Sequence, residues 1–244
     1  MLPMKSNYVL PITIVIAGAL IAGGVFLAGK GSTQTGDNGK TMTQNARAYS
    51  PGTDHILGNP NAPVKVVEYM DLECPHCKVF NATMHQLMDY YGPSGKVAWV
   101  TRPFPLAQIH SKAPQEAQAA ECAAQLGGDR AYYAFIDKVF DVTPSDNGLD
   151  LAQLPIIAKG IGLDQTAFNT CVSSNKYAQK VSDSYTEAIA AGGQGTPYSL
   201  IFVGNQLVPG GNLSGAQAYS DMRAAIDAVL QSTNNTVTAS TTTQ

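Results

Sequence analysis

Apolar residues run almost unbroken from Tyr8 to Ala28, thin out, and then return in strand-like and helical patterns as far as Leu230. The first run carries no charge between Lys5 and Lys30. It is long enough to cross a hydrocarbon core of about 30 Å as a helix, so residues 8–28 are expected to form a transmembrane anchor behind a short segment, residues 1–7. A cleaved signal peptide would have a shorter apolar core, and the A-x-A match Ala17-Gly18-Ala19 falls in mid-run, so an uncleaved anchor is expected. Residues 29–53, rich in Gly, Thr, Ser, Asn and Gln, read as a flexible linker, and the Thr-rich residues 231–244 as a disordered tail. Residues 54–230 remain for one globular domain.

Within that domain Val64, Val66, Val67, Tyr69 and Met70, broken only by Lys65 and Glu68, predict a mostly buried strand. Phe80, Met84, Leu87, Met88 and Tyr91 then recur at helical spacing until Gly92-Pro93 stops them. Val97 to Val100 predict a second strand, closed by Pro103 and Pro105. Strand patterns are then absent until Tyr198. The interval holds an Ala-rich helix over 111–126 ending at Gly127-Gly128, an aromatic helix over 130–140, and further helices near 149–159, 164–172 and 176–191. Strands return at 198–203 and 206–208 around a Gly204-Asn205 turn, and a helix over 214–230 places Ala218, Met222, Ala225, Ile226 and Val229 on one face. The predicted class is α/β: a βαβ half, a helical insertion over about 108–191, and a ββα half.

Charge narrows the partners. Fifteen Lys and Arg against eighteen Asp and Glu give a net charge of −3, and no basic stripe is visible, so nucleic acid is excluded as a partner. Lys5 alone precedes the apolar run, whereas Lys30, Lys40 and Arg47 follow it; that bias by itself would put the domain in the cytoplasm. A large domain is translocated regardless of a few charges, and four cysteines suit an oxidising compartment, so a single-pass protein of the cell membrane with its domain on the extracytoplasmic side is expected.

The chemistry lies in Cys74-Pro75-His76-Cys77, between the first strand and the first helix. Cys74 falls at the N-cap, with Pro75 at the first helical position, where a missing N–H costs nothing. Unpaired N–H groups and the positive end of the helix dipole favour an anion, so Cys74 is expected to have a lowered pKa, and Cys77, one turn inward, is placed as the resolving thiol. His76 would stabilise the thiolate by charge or hydrogen bonding, and its replacement should raise the pKa of Cys74. Glu68 shares a strand face with Val66 and Met70. A zinc ribbon would need a second pair of close ligands, which Cys122 and Cys171 do not supply. No metal and no cofactor beyond the Cys74-Cys77 disulfide is therefore expected. Cys122 and Cys171, each in a predicted helix of the insertion, are expected to pair as a structural disulfide. His85 reads as a helix-surface residue, and His55 and His110 as loop or turn residues.

These features resemble the DsbA-like thiol-disulfide oxidoreductases, whose thioredoxin fold is split by a helical domain. The resemblance covers residues 54–230. It rests on Gly58-Asn59-Pro60-Asn61-Ala62-Pro63-Val64 leading into the first strand, on the Cys-Pro-His-Cys tetrad, and on Gly195-Thr196-Pro197 before the returning strand. It implies that Glu68 lies beneath the cysteines and helps move protons. It implies a cis Thr196-Pro197 bond, although only about 5–6% of X-Pro bonds are cis, and a Thr196 backbone that pairs with the substrate chain. It further implies a disulfide oxidase acting on exported proteins with free thiols and reoxidised by a membrane quinone-linked partner. Two alternatives stay open. Thr rather than Val at position 196 also suits an isomerase or reductase, although the linker resembles no dimerisation module. The other is a non-catalytic anchored chaperone or binding module.

Overall fold

The computed structural model describes residues 46–241. The expected anchor over residues 8–28, the segment before it and the linker up to residue 45 lie outside the described residues. Among the described residues no helix is long and apolar enough to cross a membrane.

The elements follow in the order β1 (His55–Gly58), β2 (Val64–Met70), α1 (Pro75–Tyr91), β3 (Val97–Pro103), α2 (Ala113–Val142), α3 (Leu154–Gly160), α4 (Gln165–Ser173), α5 (Ala178–Ala190), β4 (Tyr198–Val203), β5 (Gln206–Ser214) and α6 (Tyr219–Thr241). They build one sheet of order β1-β3-β2-β4-β5, in which β2 is central, parallel to β3 and antiparallel to β4. Helices cover both faces, so every residue of β2 is buried, as expected of a central strand. On one face Val64, Val66, Trp99 and Ile201 pack with α1, α2 and α6; on the other Val67, Val100, Leu200 and Phe202 pack with Ala188 at the end of α5. The βαβ and ββα halves and the helical insertion between them are all present.

Four features differ from the sequence pattern or refine it. Strand β1 was not predicted, because its four residues are too few to display a period; it pairs with β3 from His55 opposite Thr101 to Gly58 opposite Ala98. His55 is therefore a buried strand residue, not a loop residue, stacked 3.9 Å from the Tyr132 ring and bonded to Glu121 at 3.0 Å and Asp129 at 3.1 Å. The break predicted at Gly127-Gly128 is a kink within α2, where Gly128 takes φ 68°, a conformation open to glycine at no steric cost. The last strand runs on through Pro209-Gly210-Gly211, a stretch that reads as a turn, because β5 is an edge strand with a register shift between Leu200 and Phe202 and tolerates a missing N–H. Helix α6 starts at Tyr219 and continues to Thr241, through residues expected to form a disordered tail. Ser232 and Thr233 there donate their hydroxyls to the carbonyls of Val229 and Leu230, so residues poor in helix propensity bond within the helix.

The end of the expected linker is also ordered. Arg102, 2% exposed, donates to both carboxylate oxygens of Asp54 at 2.9 and 2.8 Å and to Glu187 at 2.6 Å. It also donates to the carbonyls of Arg47 and Ala48 at 2.9 and 3.0 Å. Arg47 spans the same two acids, at 2.8 Å from Asp54 and 3.0 Å from Glu187. A buried guanidinium must have its donors satisfied, and here backbone carbonyls of residues 47 and 48 supply the acceptors that the sheet does not. In the insertion, Cys122 of α2 and Cys171 of α4 form a disulfide with a Cα–Cα distance of 5.8 Å. Arg102→Met removes one partner from a buried ion network and is expected to lower the free energy of unfolding by about 3–5 kcal/mol. Arg47→Ala, at a half-exposed guanidinium, should cost about 1 kcal/mol or less; urea denaturation of the two variants checks the difference.

Candidate active site

The tetrad sits where β2 gives way to α1. Cys74 is the N-cap, with extended backbone (φ −79°, ψ 121°), Pro75 opens the helix, and no side-chain oxygen caps the free N–H groups. Cys74 and Cys77 are both free thiols and both buried, whereas Pro75 and His76 are exposed. The Cys74 thiol is lowered to about 5, chiefly by a hydrogen bond from the Cys77 thiol; burial opposes this, and the Thr196 side chain and the backbone N–H groups of Cys77 and His76 add to it. His76 thus reaches the sulfur through its backbone. Cys77 is driven the other way by burial and by the nearby charges of Cys74 and Glu68. Its sulfur accepts the Asp71 N–H at 3.4 Å.

Strand pairing brings the remaining expected residues to this point. Tyr69 of β2 lies opposite Tyr198 of β4, which sets the cis Thr196–Pro197 bond beside the N-terminus of α1. In its thiol form Cys74 donates to the Thr196 carbonyl at 3.4 Å. Glu68, 1% exposed, accepts the Trp99 indole N–H at 2.9 Å and lies between its cross-strand partners Thr101 and Ser199. Burial pushes its carboxyl up to about 8, against the Trp99 bond and with a further push from Cys74. Burial thus favours the protonated form of Glu68, whose charge is coupled to both cysteines. The Cys122–Cys171 disulfide belongs to the insertion and not to this site.

Sequence reasoning missed Asp71, Glu73, His110 and Glu116. Asp71 receives the Glu73 N–H at 2.8 Å on one oxygen, and the Leu106 N–H at 2.7 Å and His110 Nδ1 at 2.9 Å on the other. His110, expected in a turn, is buried. Burial works against its protonation, but the Asp71 carboxylate, with Cys74 and Asp146, raises its pKa. The available signal was two acids within the three residues preceding the tetrad. Among the described residues no cluster of His, Cys, Asp and Glu is arranged to hold a metal ion.

A family model described as Thioredoxin matches residues 50–228. The chain belongs to the thioredoxin family. Solved DsbA-type structures share its split form. Pseudomonas aeruginosa DsbA2 is 27% identical with a TM-score of 0.59, covering 72% of this chain and 94% of that one. Wolbachia pipientis alpha-DsbA1 is 26% identical with a TM-score of 0.68, covering 78% and 96%. Bacillus subtilis BdbD in its oxidised form, 22% identical with a TM-score of 0.62 over 76% and 97%, shares the fold. Among curated proteins, Na(+)/H(+) antiporter NhaA 1 of Mycolicibacterium gilvum is 30% identical over 151 residues, and NhaA 3 of Salinispora tropica 31% over 147. These matches take in 62% and 60% of this chain but only 24% and 21% of the antiporters, so the chain spans about a quarter of the length of the curated relatives it matches. This member of the thioredoxin family is thus DsbA-like in fold.

Two measurements follow from the site. Thiolate absorbance of the reduced protein should titrate near 5 for Cys74; Cys77→Ala, which removes the foremost donor, is expected to raise that midpoint more than His76→Ala, which keeps its N–H. The Glu68 carboxyl is pushed from an ordinary 4.5 up to about 8 on folding, so its contribution to stability is full below the unfolded pKa and is lost as pH rises through the folded one. Thermal unfolding of Glu68→Gln should therefore gain on the wild type as pH rises through that window and level off above it.

Proposed function

We propose that this chain is an extracytoplasmic dithiol oxidase, membrane-anchored through residues 8–28, that introduces disulfides into exported proteins through Cys74 and Cys77. The observation that carries this reading is the asymmetry of the two thiols, an acidic Cys74 at the helix end above a buried, weakly acidic Cys77. A stabilised thiolate favours the reduced pair and so makes the oxidised pair a strong oxidant. DsbA, in which the reduced form is stabilised in this way, has a potential of about −120 mV against about −270 mV for thioredoxin. The names of the structural neighbours support the same chemistry.

In the forward direction a substrate thiolate attacks Cys74 Sγ of the disulfide. The S–S bond breaks and its electron pair goes to Cys77, which takes a proton that the buried, electrostatically coupled acid Glu68 can supply. A second substrate thiolate then attacks the substrate sulfur of the mixed disulfide and expels Cys74 as a stabilised thiolate. The substrate loses two electrons and the enzyme pair gains them. The Thr196 carbonyl and the turn at Pro197 offer the substrate backbone a strand-like partner. Val79 and Val142, both exposed, offer apolar surface on the helices that carry the tetrad and the insertion. Reoxidation returns the two electrons to a membrane quinone-linked partner, near which an anchor would hold the domain. The transport named for the antiporters is not carried over, because the chain spans only about a quarter of them.

The Thr196 side chain beside Cys74 favours a second reading, an isomerase or reductase of the same fold. Equilibration of the Cys74-Cys77 pair with glutathione separates the two. Trp99, the sole tryptophan, donates to Glu68, whose charge is coupled to both cysteines, so its fluorescence serves as the redox reporter. The expected potential lies closer to about −120 mV than to about −270 mV, and Cys74→Ser should abolish oxidation of a reduced dithiol peptide. A thioredoxin-like potential would give the second reading precedence. Full folding activity in Cys74→Ser would instead point to a non-catalytic chaperone module.

A further inference from the structure

Two buried acids, one adjacent to Cys74 in sequence and the other facing that one, have no place in the exchange steps above. Glu73, the residue directly before it, and Glu116, in the first turn of α2, are both 0% exposed. Neither oxygen of Glu116 meets a donor, and Glu73 Oε1 meets none; Glu73 Oε2 accepts only the Gly148 N–H at 3.2 Å. The two carboxyl groups nevertheless lie within hydrogen-bonding reach of each other. Ionised carboxylates are acceptors only, so two of them can bond in a dry interior only through a proton held between them.

The surroundings fix the charge of the pair. Asp71, on the same loop as Glu73, faces Glu116 as a further negative charge, its own oxygens occupied by His110, Leu106 and Glu73. Lys112 faces Glu116 from the residue before α2, but its ammonium also donates to the Leu149 carbonyl at 2.5 Å. Asp146 is exposed, bonds toward His110, and gives its backbone N–H to the Glu73 carbonyl at 2.9 Å. His110 is engaged with Asp71, so the two glutamates face only Lys112, itself shared with a carbonyl, and burial and Glu73 together push Glu116 up to about 9.

We propose that Glu73 and Glu116 share a single proton and act as a positioning pair that keeps a second buried negative charge from forming beside the Cys74 thiolate. The role rests on the exchange function proposed above, while the shared proton itself does not. Linkage makes the effect reciprocal. A thiolate at Cys74 holds the proton on the glutamates more tightly, and loss of that proton destabilises the thiolate and with it the reduced state. The pair therefore titrates at a higher pH in the reduced protein than in the oxidised one. No group other than the proton is transferred.

Infrared difference spectroscopy of the whole protein tests this directly. At neutral pH the wild type should show the carbonyl band of a protonated carboxyl group that is absent from both Glu116→Gln and Glu73→Gln, whereas the Glu68 band persists in all three. The midpoint for loss of the shared-proton band should be higher in the reduced than in the oxidised wild type. In the glutathione equilibrium, Glu116→Gln should match the wild type near neutrality and become severalfold more oxidising than it as pH rises past the wild-type midpoint. A band unchanged in both variants, or a midpoint indifferent to redox state, overturns the proposal. If the band behaves as stated but the Cys74-Cys77 pair equilibrates like thioredoxin, the oxidase reading fails and the shared proton stands.

Discussion

An uncapped helix end is the constraint on which this site depends. The first N–H groups of any α-helix lack intrahelical partners, and most chains satisfy them with a Ser, Thr, Asp or Asn side chain. Here the N-cap is Cys74 and no oxygen takes that role. The helix end therefore stays a field that stabilises a negative sulfur, and its N–H groups at His76 and Cys77 point to the thiolate. Pro75 preserves the arrangement, because it opens the helix without adding an N–H that would need a partner. Helix stability given up at the cap becomes stabilisation of the thiolate.

That field has to be held against a dry sheet. Central β2 is covered on both faces, yet it carries Glu68, and the loop after it carries Asp71 and Glu73. Each acid is accommodated differently. Asp71 has three donors of its own, Glu68 has one and sits near its titration point, and Glu73 meets another carboxyl. A fully ionised set would place several buried negative charges around a thiolate, and the desolvation penalty for unpaired buried charges is several kcal/mol each. Protonation is the inexpensive escape. Of these acids Glu68 is the one whose proton is coupled to the charge of both sulfurs.

How much of this was legible follows from the range of the interactions. The tetrad, the strand before it and the helix after it are local, and residues 64–91 announce themselves by periodicity and by Pro75. The split topology was legible too, because the strand patterns that return after a long helical interval match the second half of a thioredoxin fold whose first half precedes it. What could not be read was set by contacts distant in sequence. His55 is buried because Tyr132, Glu121 and Asp129 come to it from α2, and residues 46–53 are ordered because Arg102 and Glu187 hold them. Glu116 lies in an Ala-rich helix, and nothing in that stretch of sequence shows that α2 is placed against the loop after β2.

The placement of α2 shows that the insertion is more than a cover for one face of the thioredoxin fold. Its first half brings Glu116 to the residue before Cys74, and its second half, redirected at Gly128, brings Tyr133 to the sheet. There the Tyr133 hydroxyl donates to the carbonyls of Trp99 and His55 at 2.8 and 3.2 Å, tying β1 to β3 next to the indole that holds Glu68. One element, kinked at Gly128, thereby carries both Glu116 and the Tyr133 contact beside the Glu68-bonded indole. The Cys122–Cys171 disulfide fastens the first half of that element to α4. It therefore ties the half of α2 that carries Glu116 to the rest of the insertion.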